Sequence, residues 1–215
     1  MEVSSYQADG LHAEPYIGVL TSLYHEHHAD RHGSEEQYFA SKLGLLAGSI
    51  HRYLATQTKK EHPTLMQTYM DDPKTIRYGP EGQYDFFDGK FIRAGAVIGT
   101  DEGMHIPGLH NRYNVCVLRA LADHLGIGYS HIQHVLTQFT GLEHRLEEVG
   151  THAGIRWIND AISTTPESTI AALDAFPGQV DTIFLGGKDG HYAFDTLIEK
   201  LVSSSVRNIV LFPVS

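Results

Sequence analysis

Four stretches of this 215-residue chain carry residue types that do chemistry. The densest is His25-Glu26-His27-His28-Ala29-Asp30-Arg31-His32. Three readings stay open for it: a solvated polar loop, a zinc hydrolase site, and a magnesium or ATP site using one imidazole and one carboxylate. The helical zinc-hydrolase motif needs a second His four residues after the first, so that both rings share a face. Position 29 is Ala, so the His25-Glu26 pair lacks its second His. The second stretch, Gly108-Leu109-His110-Asn111-Arg112-Tyr113-Asn114, opens a helix. Asn111 there is an ordinary N-cap, and Asn111 with Asn114 is also able to present amides to a nucleobase edge. The third joins His144-Arg145 to Asn159-Asp160 and the run on to Pro166. An Asp beyond a strand end accepts from ribose hydroxyls, and an Arg neutralises phosphate. The plain alternative is a strand–loop–helix turn capped by Ser or Thr. The fourth, Leu185-Gly186-Gly187-Lys188-Asp189-Gly190-His191, lets backbone approach a ligand after a strand, and such turns are common without one.

These residues need a frame. Glu2 to Gln7 reads as the end of a strand running into a loop. Ile17 to Thr21 is a β-branched apolar strand, and residues 25–34 are polar loop. Ser34 caps a helix that the pattern carries from Glu35 to about Tyr53. Between 60 and 100, prolines and glycines cut the chain into short pieces. Strands are predicted over 75–78, 84–87 and 91–98, with Asp88-Gly89 as the hairpin turn between the last two. Helices are predicted over 111–125, stopped by Gly126, and from Ser130 to before Gly141. Strand and helix then alternate: 155–158, a helix with Pro166 at N1, 181–185, a helix over 194–202, and 206–212. That alternation predicts an α/β fold with a parallel sheet, and a strand at the very end suggests a sheet that continues further.

Composition excludes several classes. The formal net charge of −10 suits a phosphate backbone poorly, so no nucleic-acid partner is expected. One Cys makes no internal disulfide and no Cys-based metal centre, which points to a reducing, cytoplasmic setting. No apolar run reaches the ~18 residues of a membrane span, and the N-terminus lacks the pattern of a secretory signal.

Taken in order, the segments resemble the Mur ligase family, and within it the ligases that add glutamate to UDP-N-acetylmuramoyl-L-alanine in peptidoglycan synthesis. The stretches that carry the resemblance are residues 2–7, 28–34, 38–43, 108–114, 144–147, 157–166 and 185–189. The resemblance implies the later part of a central ATPase domain over 1–141 and a truncated Rossmann-like C-terminal domain over 142–215. It implies ATP-dependent formation of an acyl phosphate that the glutamate amine opens. By position, Glu2 and His28 match magnesium ligands, and Lys42 matches a lysine that is carbamylated in the family, which turns an ammonium into an anionic oxygen ligand. His28 and Lys42 are thus the expected catalytic pair. Asn111 and Asn114 match adenine contacts, Arg145 a phosphate contact and Asp160 the ribose contact. Ser4 and Gln7 match positions near the UDP-sugar substrate, while Thr164 and His191 fall where the acceptor binds. ATP and magnesium are the implied cofactors, and UDP-N-acetylmuramoyl-L-alanine and glutamate the implied small-molecule partners.

The sequence also departs from the family. The Gly-rich phosphate loop with its Lys-Thr/Ser is absent, so the expectation is an incomplete part that does not turn over by itself. Ile162 stands where the D-glutamate ligases usually carry a Lys, which resembles the L-glutamate subgroup and leaves acceptor chirality open. A non-catalytic nucleotide-binding or regulatory module derived from such a ligase is the alternative. A ligase resembling folylpolyglutamate synthase is another. Apart from His28 and His144, the fifteen histidines are expected to be mostly solvated.

Overall fold

The computed structural model describes residues 1–24, 32–187 and 192–213. Two compact units emerge: residues 1–101 with 112–133, and residues 102–111 with 134–215.

The first unit contains α1 (Ser5–Ala8), β1 (Ile17–Leu20), α2 (Glu35–Gly48), β2 (His51–Ala55), α3 (Gln57–Glu61), α4 (Pro63–Asp71), β3 (Thr75–Tyr78), β4 (Tyr84–Phe87), β5 (Lys90–Arg93) and β6 (Ala96–Thr100), followed by most of α5 (Leu109–Leu125) and the start of α6 (Tyr129–Leu136). Its sheet runs β1-β2-β3-β4-β5-β6. β1 to β4 pair in parallel, and β4, β5 and β6 form an antiparallel meander. Parallel neighbours need a crossover, which α2 supplies between β1 and β2 and α3–α4 between β2 and β3. The core lies beneath α2 and α4, where Leu23, Tyr38, Phe39, Leu43, Leu46, Leu54, Met66 and Met70 pack together. Burying each large apolar side chain contributes roughly 1.5–3 kcal/mol.

Several elements differ from the sequence expectation. Glu2–Gln7 is no strand: Ser4 caps α1, accepting from the Gln7 N–H, while the Gln7 side chain accepts from the Ser4 N–H. This reciprocal box satisfies two orphan donors of a helix start. The helix from Glu35 stops at Gly48 rather than near Tyr53, and His51–Ala55 is a buried parallel strand. A Cβ at Gly48 would collide with the Ala13 carbonyl, so glycine lets the helix end close on the chain before β1. The stretch 91–98 is two strands, turned by Ala94 (φ 46) and Gly95 (φ 84). Residues 57–71 form α3 and α4, with Pro63 at the start of α4.

The second unit holds β7 (Glu147–His152), β8 (Ile155–Asn159), α7 (Pro166–Ala175), β9 (Thr182–Leu185), α8 (Asp195–Ser203) and β10 (Asn208–Leu211). β7 and β8 form a hairpin that the alternation pattern did not anticipate, and β9 pairs with β10 in parallel across α8. At Gly186 a Cβ would lie 2.6 Å from the Phe212 Cβ, so the glycine after β9 serves strand packing. Among the described residues no helix is long and apolar enough to cross a membrane.

Cys116 gives the first unit a measurable alkaline signature. It is buried in α5, and burial pushes its thiol from an ordinary 9 up to about 12, with the Asp85 carboxylate adding to the rise. Below pH 9 the thiol is protonated whether the chain is folded or not, and stability is unaffected. Above pH 9 the unfolded chain releases the proton first, so stability falls as pH rises toward 12. At ~1.4 kcal/mol per pKa unit the whole span is about 4 kcal/mol. Urea midpoints measured at pH 8 and pH 10 should therefore fall less in Cys116→Ala than in the wild type. The native thiol should not react with a disulfide reagent at pH 8; rapid reaction there would refute the burial argument.

Candidate functional site

The second unit places the sequence's third stretch in one network at the carboxyl end of β8. Residues 142–147 form a tight loop, in which the Arg145 N–H donates to the Leu142 carbonyl (3.2 Å). Its backbone is unusual, with φ 63 at His144 and φ 48 at Leu146. Each left-handed non-glycine residue costs roughly 1–3 kcal/mol and persists only when its surroundings over-determine it.

The segment after β8 supplies that support. Asp160 Oδ1 accepts from the Leu146 N–H (3.0 Å), and Oδ2 accepts from Ser163 Oγ (2.5 Å). Glu147 Oε2 accepts from the His144 N–H (2.9 Å) and from Asn159 Nδ2 (3.4 Å). The Ile162 N–H donates to the His144 carbonyl (3.2 Å). Asn159 Nδ2 also meets His144 Nδ1 at 2.8 Å. Leu146 is buried and anchors the loop. Arg145 lies between the two left-handed residues, exposed and without an ion pair among the described residues. The loop thus exposes Arg145 next in the chain to Leu146, whose N–H the fixed Asp160 carboxylate accepts from. Asp160 has about four acceptor positions, and the two protein bonds use half of them. One cationic fork and one carboxylate with acceptor capacity left fit the phosphate and the sugar hydroxyls of a nucleotide.

The adjoining helix start is well formed. Thr165 caps α7 in a reciprocal box with Ser168, and Pro166 occupies the first turn. Thr164, expected near the acceptor, is exposed just before that cap. Ile162 is half exposed. His191 lies outside the described residues, as do Lys188 and Asp189.

Asn111 is not the N-cap expected from the sequence. α5 starts at Leu109, and Asn111 sits in its first turn with Nδ2 donating to the Pro107 carbonyl (2.6 Å). That bond uses one of the two Nδ2 hydrogens and leaves the other, with the side-chain carbonyl, for a base edge. Asn114 is exposed one turn further along α5, at i+3.

The described residues expected near the metal and the UDP-sugar, Glu2, Lys42, Ser4 and Gln7, fall in the first unit. Ser41 Oγ donates to Asp9 Oδ1 (3.2 Å), and His32 Nε2 meets Ser5 Oγ (3.1 Å), so residues 5–9 dock on α2 and the segment before it. Glu2 is exposed at the start of that docked segment. Lys42 lies on α2, half-buried, with Nζ 4.7 Å from the Tyr38 ring centroid. Ser4 and Gln7 are engaged with each other in the α1 cap. His28 lies outside the described residues. Among the described residues no group of three His, Cys, Asp or Glu is gathered to hold a metal ion. An anionic oxygen on a carbamylated Lys42 would add to Glu2 the hard donor type that magnesium takes.

His12, His105, His131, His134 and His152 are exposed as expected, and others depart from the solvated reading. His32 is 3% exposed, stacked on Tyr6 at 5.3 Å. His62 bonds the Leu23 carbonyl at 2.7 Å, and the His51 and His124 rings lie 4.3 Å apart against Tyr16. An aromatic ring with polar edges fills such places when each edge finds a partner, a role invisible in composition. Glu147 was the supporting residue without an assigned role; its signal was adjacency to His144-Arg145.

Three comparisons bear on this geometry. Residues 1–122 match the model of the Mur ligase middle domain. The chain is 30% identical to the UDP-N-acetylmuramoylalanine–D-glutamate ligase of Symbiobacterium thermophilum, over 98% of this chain and 48% of that protein. It is also 30% identical to the UDP-N-acetylmuramoyl-L-alanine–L-glutamate ligase of Salinispora tropica, over 96% of this chain and 47% of that one. The structure of UDP-N-acetylmuramate–alanine ligase from Thermotoga maritima superposes with a TM-score of 0.65 at 14% identity, covering 97% of this chain and 53% of that one. The chain spans about half the length of the curated relatives it matches.

Proposed function

The chain belongs to the Mur ligase family, and from that premise we propose that it is part of an ATP-dependent ligase joining glutamate to UDP-N-acetylmuramoyl-L-alanine. In this reading ATP activates the substrate carboxylate as an acyl phosphate, and the glutamate amine displaces phosphate to form the amide. Residues 1–141 form the later part of the ATPase domain and residues 142–215 the beginning of a Rossmann-like domain. Arg145 binds a nucleotide phosphate, Asp160 the ribose, and Asn111 with Asn114 the adenine. Ser4 and Gln7 face the UDP-sugar, and Thr164 and His191 the acceptor. Magnesium, when bound, would neutralise charge on the transferred phosphoryl group, with Glu2, His28 and carbamylated Lys42 as its ligands. A cytoplasmic setting is part of the proposal.

The observation that carries this reading is the strained loop around Arg145, which is exposed and without an ion pair among the described residues, tied through the Leu146 N–H to the carboxylate of Asp160. The 215 residues contain no Gly-rich phosphate loop, and we propose that alone they bind nucleotide without turning it over. Titration calorimetry with magnesium and ADP tests the first half. Phosphate release with UDP-N-acetylmuramoyl-L-alanine and each glutamate enantiomer tests the second, using the chain alone and joined to a region carrying the phosphate loop. Calorimetric heat with ADP and phosphate release only in the joined protein are expected. No release with either enantiomer in the joined protein would sink the ligase assignment.

A further inference from the structure

The network around Arg145 fixes more than a backbone. Asn159 Oδ1 accepts from the Ala161 N–H (3.2 Å), a group that only donates. Asn159 Nδ2 faces Glu147 Oε2, a carboxylate that only accepts. These two partners assign the amide orientation independently of each other. His144 Nδ1 therefore faces an N–H donor at 2.8 Å, an ångström nearer than the Glu147 Oε2 at 3.8 Å, and accepts from it. A neutral imidazole that accepts at Nδ1 carries its proton on Nε2.

The ring carrying that proton is held in place and open. Both backbone groups of His144 are bonded, the N–H to Glu147 and the carbonyl to Ile162, and φ is locked at 63. Its side chain is 61% exposed, directly before Arg145 in the chain, and its Nδ1 partner directly precedes Asp160. The bonds that His144 contributes to the network among the described residues are made by Nδ1 and by its backbone, which leaves the Nε2 donor at the exposed ring edge for a ligand.

We propose that His144, held in the Nε2–H tautomer by Asn159, is a further ligand-binding residue of this site and donates to an oxygen of the bound nucleoside phosphate. It rests on the nucleotide reading given above. Arg145 supplies charge, which every phosphate attracts, whereas a neutral directed donor supplies orientation without adding charge. Asn159 and Glu147 are then positioning residues, acting on the ligand through His144.

The test uses the full 215-residue chain, labelled with nitrogen-15 at histidine. Long-range proton–nitrogen spectra report the tautomer of each ring, and the His144 signals are those lost in His144→Gln. In the free protein His144 should show a protonated Nε2 and an unprotonated Nδ1. Adding magnesium and ADP should move the Nε2 resonance. Affinity for ADP should fall about tenfold in His144→Ala and recover in part in His144→Gln, whose amide reaches a similar position. Asn159→Asp, which places an acceptor opposite Nδ1, should move the proton to Nδ1 while circular dichroism stays unchanged. A free ring protonated at Nδ1 would overturn the proposal, as would an Nε2 signal unmoved by saturating ADP. Absence of ADP binding by the wild-type chain would overturn the nucleotide reading itself; the tautomer read in the free protein tells the two failures apart.

Discussion

Arg145→Ala is expected to weaken binding of magnesium and ADP by ten- to a hundredfold and to leave the melting temperature unchanged. The guanidinium is exposed and pairs with no carboxylate among the described residues, so removing it strands no buried partner and opens no cavity. Charge-assisted hydrogen bonds contribute roughly 1.5–3 kcal/mol, which sets the size of the loss. Arg145→Lys should recover only part of it, because an ammonium is a point charge and cannot pair two oxygens at once. Asp160 behaves differently. Its carboxylate holds the Leu146 N–H and Ser163 Oγ, so Asp160→Ala should lower stability and binding together. The contrast matters because a residue that supports the loop and one that meets the ligand give different pairs of numbers. Calorimetry gives the affinity and a thermal melt gives the stability. Equal ADP affinity in wild type and Arg145→Ala would remove Arg145 from the site.

The sequence made this loop partly legible and partly not. His144-Arg145 and Asn159-Asp160 are adjacent pairs of chemical residue types, and the strand and Pro166-led helix between which the second pair sits follow from local pattern alone. Their meeting required β7, and β7 was hidden. Its turn is Ala153-Gly154, with φ 51 and 79, where Ala occupies a left-handed position that local preference disfavours. The same concealment split residues 91–98, whose turn is Ala94-Gly95, whereas Asp88-Gly89 was readable because Asp and Gly both tolerate φ above zero. β2 was absorbed into the preceding helix because His51-Arg52-Tyr53-Leu54 carries no β-branched residue and no turn signal separates it from α2 beyond Gly48-Ser49.

The positions proposed for the nucleotide and the acceptor were unequally legible for a similar reason. Asn111 looked like a cap, and the structure gives its amide to Pro107 instead, a backbone partner four residues back that no spacing rule announces. The chirality of the proposed acceptor depends on side chains that only spatial proximity to a ligand can rank. Ile162 and Thr164 are surface residues, and the two relatives at 30% identity act, by name, on opposite enantiomers of glutamate.

Arg119 is the residue whose loss should cost the fold most. Its side chain is fully buried on α5, and burial pulls its pKa down from the ordinary arginine value. Nη1 donates to the Ile98 carbonyl (3.0 Å) and Nη2 to Gln133 Oε1 (2.9 Å), with the Phe91 ring centroid 4.5 Å from the guanidinium. The clamp ties α5 to β6 and α6. Gly99 makes room for it: a Cβ there would lie 2.6 Å from Nη2 and 2.8 Å from Cζ, at a φ of 154. A flexible side chain would step aside, but this one is bonded at both ends and packed on an aromatic face. Gly99→Ala should therefore destabilise the chain by roughly 2–4 kcal/mol through overpacking and backbone strain. Arg119→Ala should cost about 3–5 kcal/mol, from the cavity and from acceptors left without their donor. Arg119→Met keeps the stem and should cost less. Because Gly99 and Arg119 share one contact, their penalties should not add. With the guanidinium gone, the Cβ at position 99 loses its three closest contacts, and the double variant should be at least ~1 kcal/mol more stable than the sum of the singles implies. Urea midpoints of the four proteins measure this directly. Strict additivity would mean that Gly99 is glycine for some reason other than Arg119.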